Sequence, residues 1–245
     1  MSELSDIIQQ HHDIVFFGGA GVSTESGIPD FRSSTGLYTT HSGGKYPPEY
    51  LLSHTCFTME TTEFFDFYRR NLLYADVKPN AAHLALAKLE AAGRLRAVVT
   101  QNIDGLHQRA GSKNVIELHG SVHRNYCQTC DANYGLDFIL HTEGVPHCPA
   151  CGGIVKPDVV LYEETLNSED IGAAVDHISR AEVLIVGGTS LNVYPAASLV
   201  QYYRGDNLVL INKSATPCDA SANLVIHDSL GRVLQEACAS VGPPG

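Results

Sequence analysis

The chain is short of positive charge: 16 Lys and Arg face 27 Asp and Glu, a formal net charge of −11 over 245 residues. Neutralising a phosphate backbone needs clustered base, so a fold-wide grip on nucleic acid is not expected. An acidic body suits a Lys-rich polypeptide instead. No apolar run approaches the ~20 residues of a membrane span. The N-terminal MSELSDIIQQ has neither a cationic start nor an apolar h-region, so no secretion signal is expected. Internal repeats and low-complexity tracts are missing, and 44% hydrophobic with 18% charged residues is ordinary globular stock. An even cysteine count is missing too. Of the 7 cysteines, four lie in two tight pairs. This reads as a metal site plus spare thiols in a reducing, cytoplasmic setting, not as a disulfide framework.

What is present alternates strand with helix. Asp13–Phe17 is a short apolar run that ends in glycine, the pattern of a buried parallel strand. Arg96–Thr100, Val183–Gly187, Leu208–Ile211 and the shorter Leu224–Ile226 read the same way. Helices are expected over Asn80–Ala92, bounded by Pro79 and Gly93, and over Ser168–Arg180, Pro195–Tyr203 and Leu230–Ser240. The SEDI at Ser168 is close to a capping arrangement. The pattern argues an α/β fold: a doubly wound parallel sheet with helices on both faces. Two stretches break the rhythm. One is loop-rich and then helical (Glu63–Tyr74); the other, Tyr126–Gly153, carries the cysteine pairs. The domain division that follows is a discontinuous large domain (1–35, 76–121 and 155–245), a helical insertion (36–75) and a four-cysteine module (122–154).

Candidate binding residues gather at strand ends. The first strand runs into Gly18-Gly19-Ala20-Gly21-Val22-Ser23. Small residues there let backbone N–H groups approach a pyrophosphate. Yet the dinucleotide fingerprint wants a third glycine where Thr24 stands, and its acidic ribose anchor falls near Thr40–His41. A phosphate cradle and a tight structural turn both fit, and an ordinary dehydrogenase fits poorly. Asp30, Phe31 and Arg32 follow on a Pro-stiffened loop. Arg on phosphate with Phe against a sugar is one reading, and a plain surface loop is the other. Gln101, Asn102 and Asp104, broken by Ile103, end a second strand, either as ligand contacts or as an Asx-type turn. His119 ends the run Asn114–Leu118 beside Gly120, where an imidazole can act as a general base. Gly188, Thr189 and Ser190 form another turn, and Asn212-Lys213 ends the next strand. Lys156–Tyr162 is an extended run that either adds a guest peptide strand or pairs internally.

Cys127-x-x-Cys130 and Cys148-x-x-Cys151 have zinc-site spacing. Four thiolates complete a tetrahedron with no open position, so this is a structural site. Nearby His123, His141 and His147 read as bystanders, and Cys56, Cys218 and Cys238 as free thiols.

In order, the chain carries GAGVSTESGIPDFR, TQNIDGLHQRAG, ELHG, the cysteine module, KPDVVLYEE, GGTSLNVYPAA and LVLIN. This series resembles the sirtuins, NAD-dependent protein lysine deacylases, over nearly the whole chain. The resemblance implies a Rossmann-like large domain with a small zinc-binding and helical domain, and a cleft between them. It implies NAD consumed as co-substrate, one structural zinc, and acylated lysine-containing proteins or peptides as partners, with no nucleic acid or membrane. By position, Gly19, Ala20, Gly21 and Thr24 would line the phosphates. Phe31 and Arg32 would belong to the cofactor loop. Gln101 and Asn102 would hold the nicotinamide ribose and a water, and Ile103 and Asp104 the carboxamide. Gly188, Thr189, Ser190, Asn212, Lys213 and Leu230 would surround the adenosine half. Val159, Val160 and Leu161, with Asn192 and Val193 opposite, would clamp the substrate backbone. The acyl oxygen would attack the nicotinamide ribose at C1′ as nicotinamide leaves. His119 would then take a ribose hydroxyl proton, giving free lysine and O-acyl-ADP-ribose. Mono-ADP-ribosylation from the same site is the alternative, and a non-catalytic NAD-sensing module is a further one.

Two departures stand out. Many relatives have Phe-Gly-Glu where this chain has Tyr162-Glu163-Glu164, which puts the local peptide clamp in question. Relatives that prefer succinyl or malonyl groups share a Tyr-x-x-Arg pair, whereas Tyr68 here is followed by Asn71. An acetyl or other uncharged acyl group is therefore expected.

Overall fold

Every strand of the larger sheet is a short β-branched or aromatic run with little polar interruption, which suits burial on both faces. The computed structural model describes residues 2–34, 36–40 and 45–242; His41 of the expected ribose-anchor position lies outside them. The strands are β1 (Ile14–Gly18), β2 (Leu95–Thr100), β3 (Val115–Glu117), β4 (Gly120–Cys127), β5 (Asn133–Tyr134), β6 (Val155–Val159), β7 (Val183–Gly187), β8 (Leu208–Ile211) and β9 (Leu224–Ile226). Six of them form one sheet in the order β3-β2-β1-β7-β8-β9. All of its pairings are parallel. The order turns back between β1 and β7, and ligands of such sheets bind beyond the strand ends at that switch point.

Alternation along the strands builds two cores. Ile14, Phe16, Val98, Ile185 and Val209 face the helices Glu3–Gln10, Ala81–Ala91 and Leu230–Ala237. Val15, Phe17, Val99, Leu184 and Leu210 face the helix Ser168–Arg180 and the 3₁₀ segment Ala196–Tyr202. Each fully buried Phe or Ile contributes roughly 1.5–3 kcal/mol relative to exposure. The helix starts are specified locally. Asn80 closes a capping box with His83. The cap of the Ser168 helix is Asn167, whose side chain accepts from the Glu169 and Asp170 amides, and Ser168 itself is already helical. The stretch expected as a helix over Pro195–Tyr203 is the 3₁₀ segment.

The smaller sheet has the order β5-β4-β6 and is antiparallel. Val155–Val159, grouped by sequence with the large domain, pairs here with β4, so the parallel sheet resumes only at β7. Phe57, Phe64, Phe65 and Tyr68 from the helices His54–Met59 and Thr61–Leu72 pack against Val122, Val155 and Leu161. One apolar cluster therefore joins the helical insertion to the cysteine module.

Candidate functional site

At the switch point β1 and β7 each end in a glycine turn, and the turns touch backbone to backbone. The Gly21 amide donates to the Gly188 carbonyl at 2.8 Å. A Cβ on Gly21 would sit 2.7 Å from Gly188 Cα, and one on Gly188 would sit 2.4 Å from the Val22 amide nitrogen. Gly188 also has a φ of +61°, which glycine adopts without strain. The glycines thus serve the join between two strands as well as any approach to phosphate.

A cleft of about 840 Å³ opens over this join. Every residue expected at the nucleotide lines it: Gly19, Ala20, Gly21, Thr24, Phe31, Arg32, Gln101, Asn102, Ile103, Asp104, His119, Gly188, Thr189, Ser190, Asn212, Lys213 and Leu230. Val159, Val160, Leu161, Asn192 and Val193 line it too.

Side-chain hydrogen bonds tie the cleft floor across four strand ends. Asn102 Nδ2 donates to Ser23 Oγ at 3.1 Å, and Ser23 Oγ donates onward to Asp104 Oδ2 at 2.6 Å. Asp104 Oδ1 accepts the Leu106 amide at 2.9 Å. Gln101 Nε2 donates to Thr189 Oγ1 at 3.1 Å, and the Thr189 amide donates to Asn212 Oδ1 at 2.9 Å. Asn212 Nδ2 is buried with no partner among the described residues, a donor left for a ligand. That orphan donor, the small-residue glycine turns lining the cleft and the cations Arg32 and Lys213 fit a dinucleotide. Ser23 is central here, and nothing in the sequence singles it out beyond its place in the Gly-rich turn. Its partner Asp104 is distant along the chain. Glu25 is another residue that sequence reasoning passed over: it lines the cleft and accepts the Gly231 amide at 3.0 Å, anchoring the start of the Leu230–Ala237 helix.

His119 bridges β3 and β4. Its Nδ1 lies 2.8 Å from the Gln101 carbonyl oxygen. A carbonyl only accepts, so Nδ1 carries the proton and Nε2 keeps its lone pair. Burial pulls the His119 pKa below the ordinary histidine value, and the hydrogen bond to Gln101 opposes that pull. The ring is therefore neutral at physiological pH. The His119 carbonyl accepts the Val160 amide at 3.0 Å, placing the extended segment beside this ring.

That segment is fixed at both ends. Lys156 Nζ, buried, donates to the Val159 carbonyl at 3.1 Å and to Glu164 Oε2 at 3.2 Å. Glu164 also accepts the Leu161 amide at 2.9 Å. Glu163 has a φ of +75°, the left-handed conformation that a glycine would take freely. Its carboxylate accepts from the Thr55 amide at 2.9 Å and the Thr55 hydroxyl at 2.7 Å. The departure from glycine therefore keeps the bend and adds an anchor on the helical insertion.

The four paired cysteines converge away from this floor. Sγ–Sγ distances are 3.4 Å for Cys127–Cys151, 3.7 Å for Cys130–Cys148 and 3.4 Å for Cys130–Cys151. All four sulfurs lie within 4.8 Å of one another. Tetrahedral thiolates at the usual Zn–S bond stand about 3.8 Å apart, so the cluster fits a closed zinc site. The Tyr134 hydroxyl, 3.0 Å from Cys148 Sγ, brings the Cys148 thiol down to about 6, toward the thiolate a metal needs. His123 instead lies 3.0 Å from the Asp104 carbonyl.

The Sir2 family matches residues 19–195. A curated NAD-dependent protein deacetylase from Clostridium acetobutylicum is 59% identical over 236 residues, covering 96% of each chain. The solved structure of a Sir2–p53 peptide–NAD+ complex superposes with a TM-score of 0.85 at 39% identity, over 98% of this chain and 97% of that one. A Sir2 complex with the inhibitor EX-527, 2′-O-acetyl-ADP-ribose and deacetylated p53 peptide gives 0.84 at 36% identity, over 98% of both chains. With the glycine join, the cleft and the cysteine cluster in place, this likeness is decisive: the chain belongs to the Sir2 family.

Proposed function

We propose that the protein removes acetyl or related uncharged acyl groups from lysine side chains of proteins, consuming NAD and releasing nicotinamide and O-acyl-ADP-ribose. The carrying observation is His119, whose Nδ1 faces the Gln101 carbonyl and leaves Nε2 to a substrate, in a cleft lined by both glycine turns and by the extended Val159–Leu161 segment. Bound NAD supplies an electrophilic ribose carbon and a leaving group. The protein's residues do the rest. Asp104, held by Ser23 and the Leu106 amide, fixes the nicotinamide carboxamide with the Ile103 backbone. Gln101 and Asn102 orient the ribose and a water. Phe31, lining the same cleft, shields the reacting carbon from bulk water. His119 takes the ribose hydroxyl proton. Val159–Leu161 and Asn192–Val193 hold the peptide from two sides. The reaction needs no hydride acceptor.

Preference for an uncharged acyl group rests on where the cations point. Tyr68 is fully buried in the small core, stacked on Phe64. Arg69 donates to the Ile139 and Gly144 carbonyls at 2.9 and 2.6 Å, and Arg70 to Asp66 at 3.2 Å. None of them lines the cleft, and Asn71 does. A succinyl carboxylate would find no matched cation on that helix.

The experiment is a panel of acetyl, propionyl, succinyl and long-chain acyl-lysine peptides, each with and without NAD and read by mass spectrometry. NAD-dependent loss of acetyl, with succinyl turnover at least about tenfold slower, is the expected result. A large mass gain on the peptide would instead indicate ADP-ribosylation. The thiol chemistry suits a cytoplasmic setting, and no helix among the described residues is long and apolar enough to cross a membrane.

A further inference from the structure

The extended peptide segment and the loop bearing Phe31 and Arg32 come from different parts of the chain, and one side-chain contact joins them. Tyr162 is held firmly. Its amide donates to the Leu52 carbonyl at 3.0 Å, and its carbonyl accepts the His54 amide at 3.0 Å. The next two residues are anchored on Thr55, His54 and Lys156. Tyr38 belongs to the nucleotide loop. Its amide donates to the Phe31 carbonyl at 2.9 Å, its ring meets the Phe31 ring edge-on at 5.7 Å, and the Arg32 guanidinium lies 5.3 Å over it. The Tyr38 and Tyr162 hydroxyls hydrogen-bond to each other. A phenylalanine at either position could not make this bond.

Resting on the functional reading above, we infer that the Tyr38–Tyr162 hydroxyl bridge is a positioning contact that couples nucleotide binding to acyl-peptide binding. A peptide lying along Val159–Leu161 contacts the segment that ends at the anchored Tyr162. Through Tyr38 that segment sets Phe31 and Arg32 over the nucleotide. By linkage the nucleotide tightens the peptide by the same factor. Neither tyrosine acts on a reacting atom. The bridge acts mainly on how strongly each ligand's binding responds to the other.

The test is a binding cycle by calorimetry. It uses an acetyl-lysine peptide and carba-NAD, whose ribose ring oxygen is replaced by methylene so that nothing turns over. The coupling factor is the ratio of peptide dissociation constants without and with saturating carba-NAD. It should exceed one in the wild type and fall about two- to tenfold in Tyr38→Phe and in Tyr162→Phe, the range for one neutral hydrogen bond. Each ligand's affinity measured alone should move less than the coupling factor, and Tm should not fall. The double variant should lose no more than either single one, because the two hydroxyls act as one contact. A wild-type factor of one, unchanged factors in both single variants, or additive losses in the double variant would overturn the proposal. Deacetylation of the same peptide with NAD is measured separately. Its failure would overturn the functional reading, while the coupling factor still reports on the bridge.

Discussion

His119 can be tested by moving its proton or removing its ring. With Nδ1 committed to the Gln101 carbonyl at 2.8 Å, only Nε2 can accept a proton, and only while the ring is neutral. The active form is therefore the deprotonated one. Burial lowers its pKa from 6.5, so protonation that stops turnover sets in below that pH. kcat/KM for an acetyl-lysine peptide at saturating NAD should be flat from neutral pH down to about 6.5. It should fall only as pH drops further, by a factor of ten per unit on the steep limb. His119→Ala removes the base altogether and should cost roughly 10²–10⁴ in rate, or about 3–5 kcal/mol of transition-state stabilisation. The assay is initial-rate formation of O-acetyl-ADP-ribose by mass spectrometry across the pH range, with Tm recorded to exclude unfolding. An acid limb centred above pH 6.5, or an Ala variant within about threefold of wild type, would refute the assignment of the base.

Other expectations concern separate parts of the molecule. Asp104→Asn keeps the acceptor for the Leu106 amide but loses the charge-assisted bond from Ser23, so the KM for NAD should rise about tenfold, read by steady-state kinetics. Metal analysis should give about one equivalent of zinc per chain; Cys148→Ser should abolish it and unfold the small domain, seen as loss of proteolytic protection over 122–154. His83 and His107 are buried, with rings 4.7 Å apart, and burial lowers their pKa values to about 4 and about 3. The unfolded chain takes up protons near 6.5 and the folded one does not, so stability is lost as pH falls below that value. Urea denaturation should show a loss of about 2 kcal/mol per histidine between pH 7 and pH 5. His107→Leu should remove close to half of that dependence, and an unchanged slope would contradict it.

The two faces of the large sheet are legible in the sequence because β1, β7 and β8 are continuous apolar runs cut off by glycine or asparagine. Burial on both sides leaves no other choice of residue. β4 is not legible in this way. Its GSVHRNYC mixes charge and apolar side chains, and its register shifts between Ser121 and Asn125. Only pairing with β6 and the cysteine module defines it. The site shows the same division. Residues at strand ends stand out because a buried apolar strand that finishes in Gln-Asn-Ile-Asp or Gly-Gly-Thr-Ser changes character abruptly where such sheets bind ligands. The hydroxyls of Ser23 and Tyr38 act through partners far along the chain, which no local pattern encodes. Glu163 shows how substitution can mislead. A residue that reads as a loss of flexibility takes a left-handed conformation open to glycine, with its carboxylate held by Thr55.

The contact between Gly21 and Gly188 sets an order of events in synthesis. The turn after β1 leaves the ribosome early, but the surface it rests on arrives only 167 residues later, the span from 21 to 188. A growing chain thus has no means of gripping its dinucleotide until β7 has slotted in beside β1. First capture of NAD therefore waits on a strand from the last third of the chain.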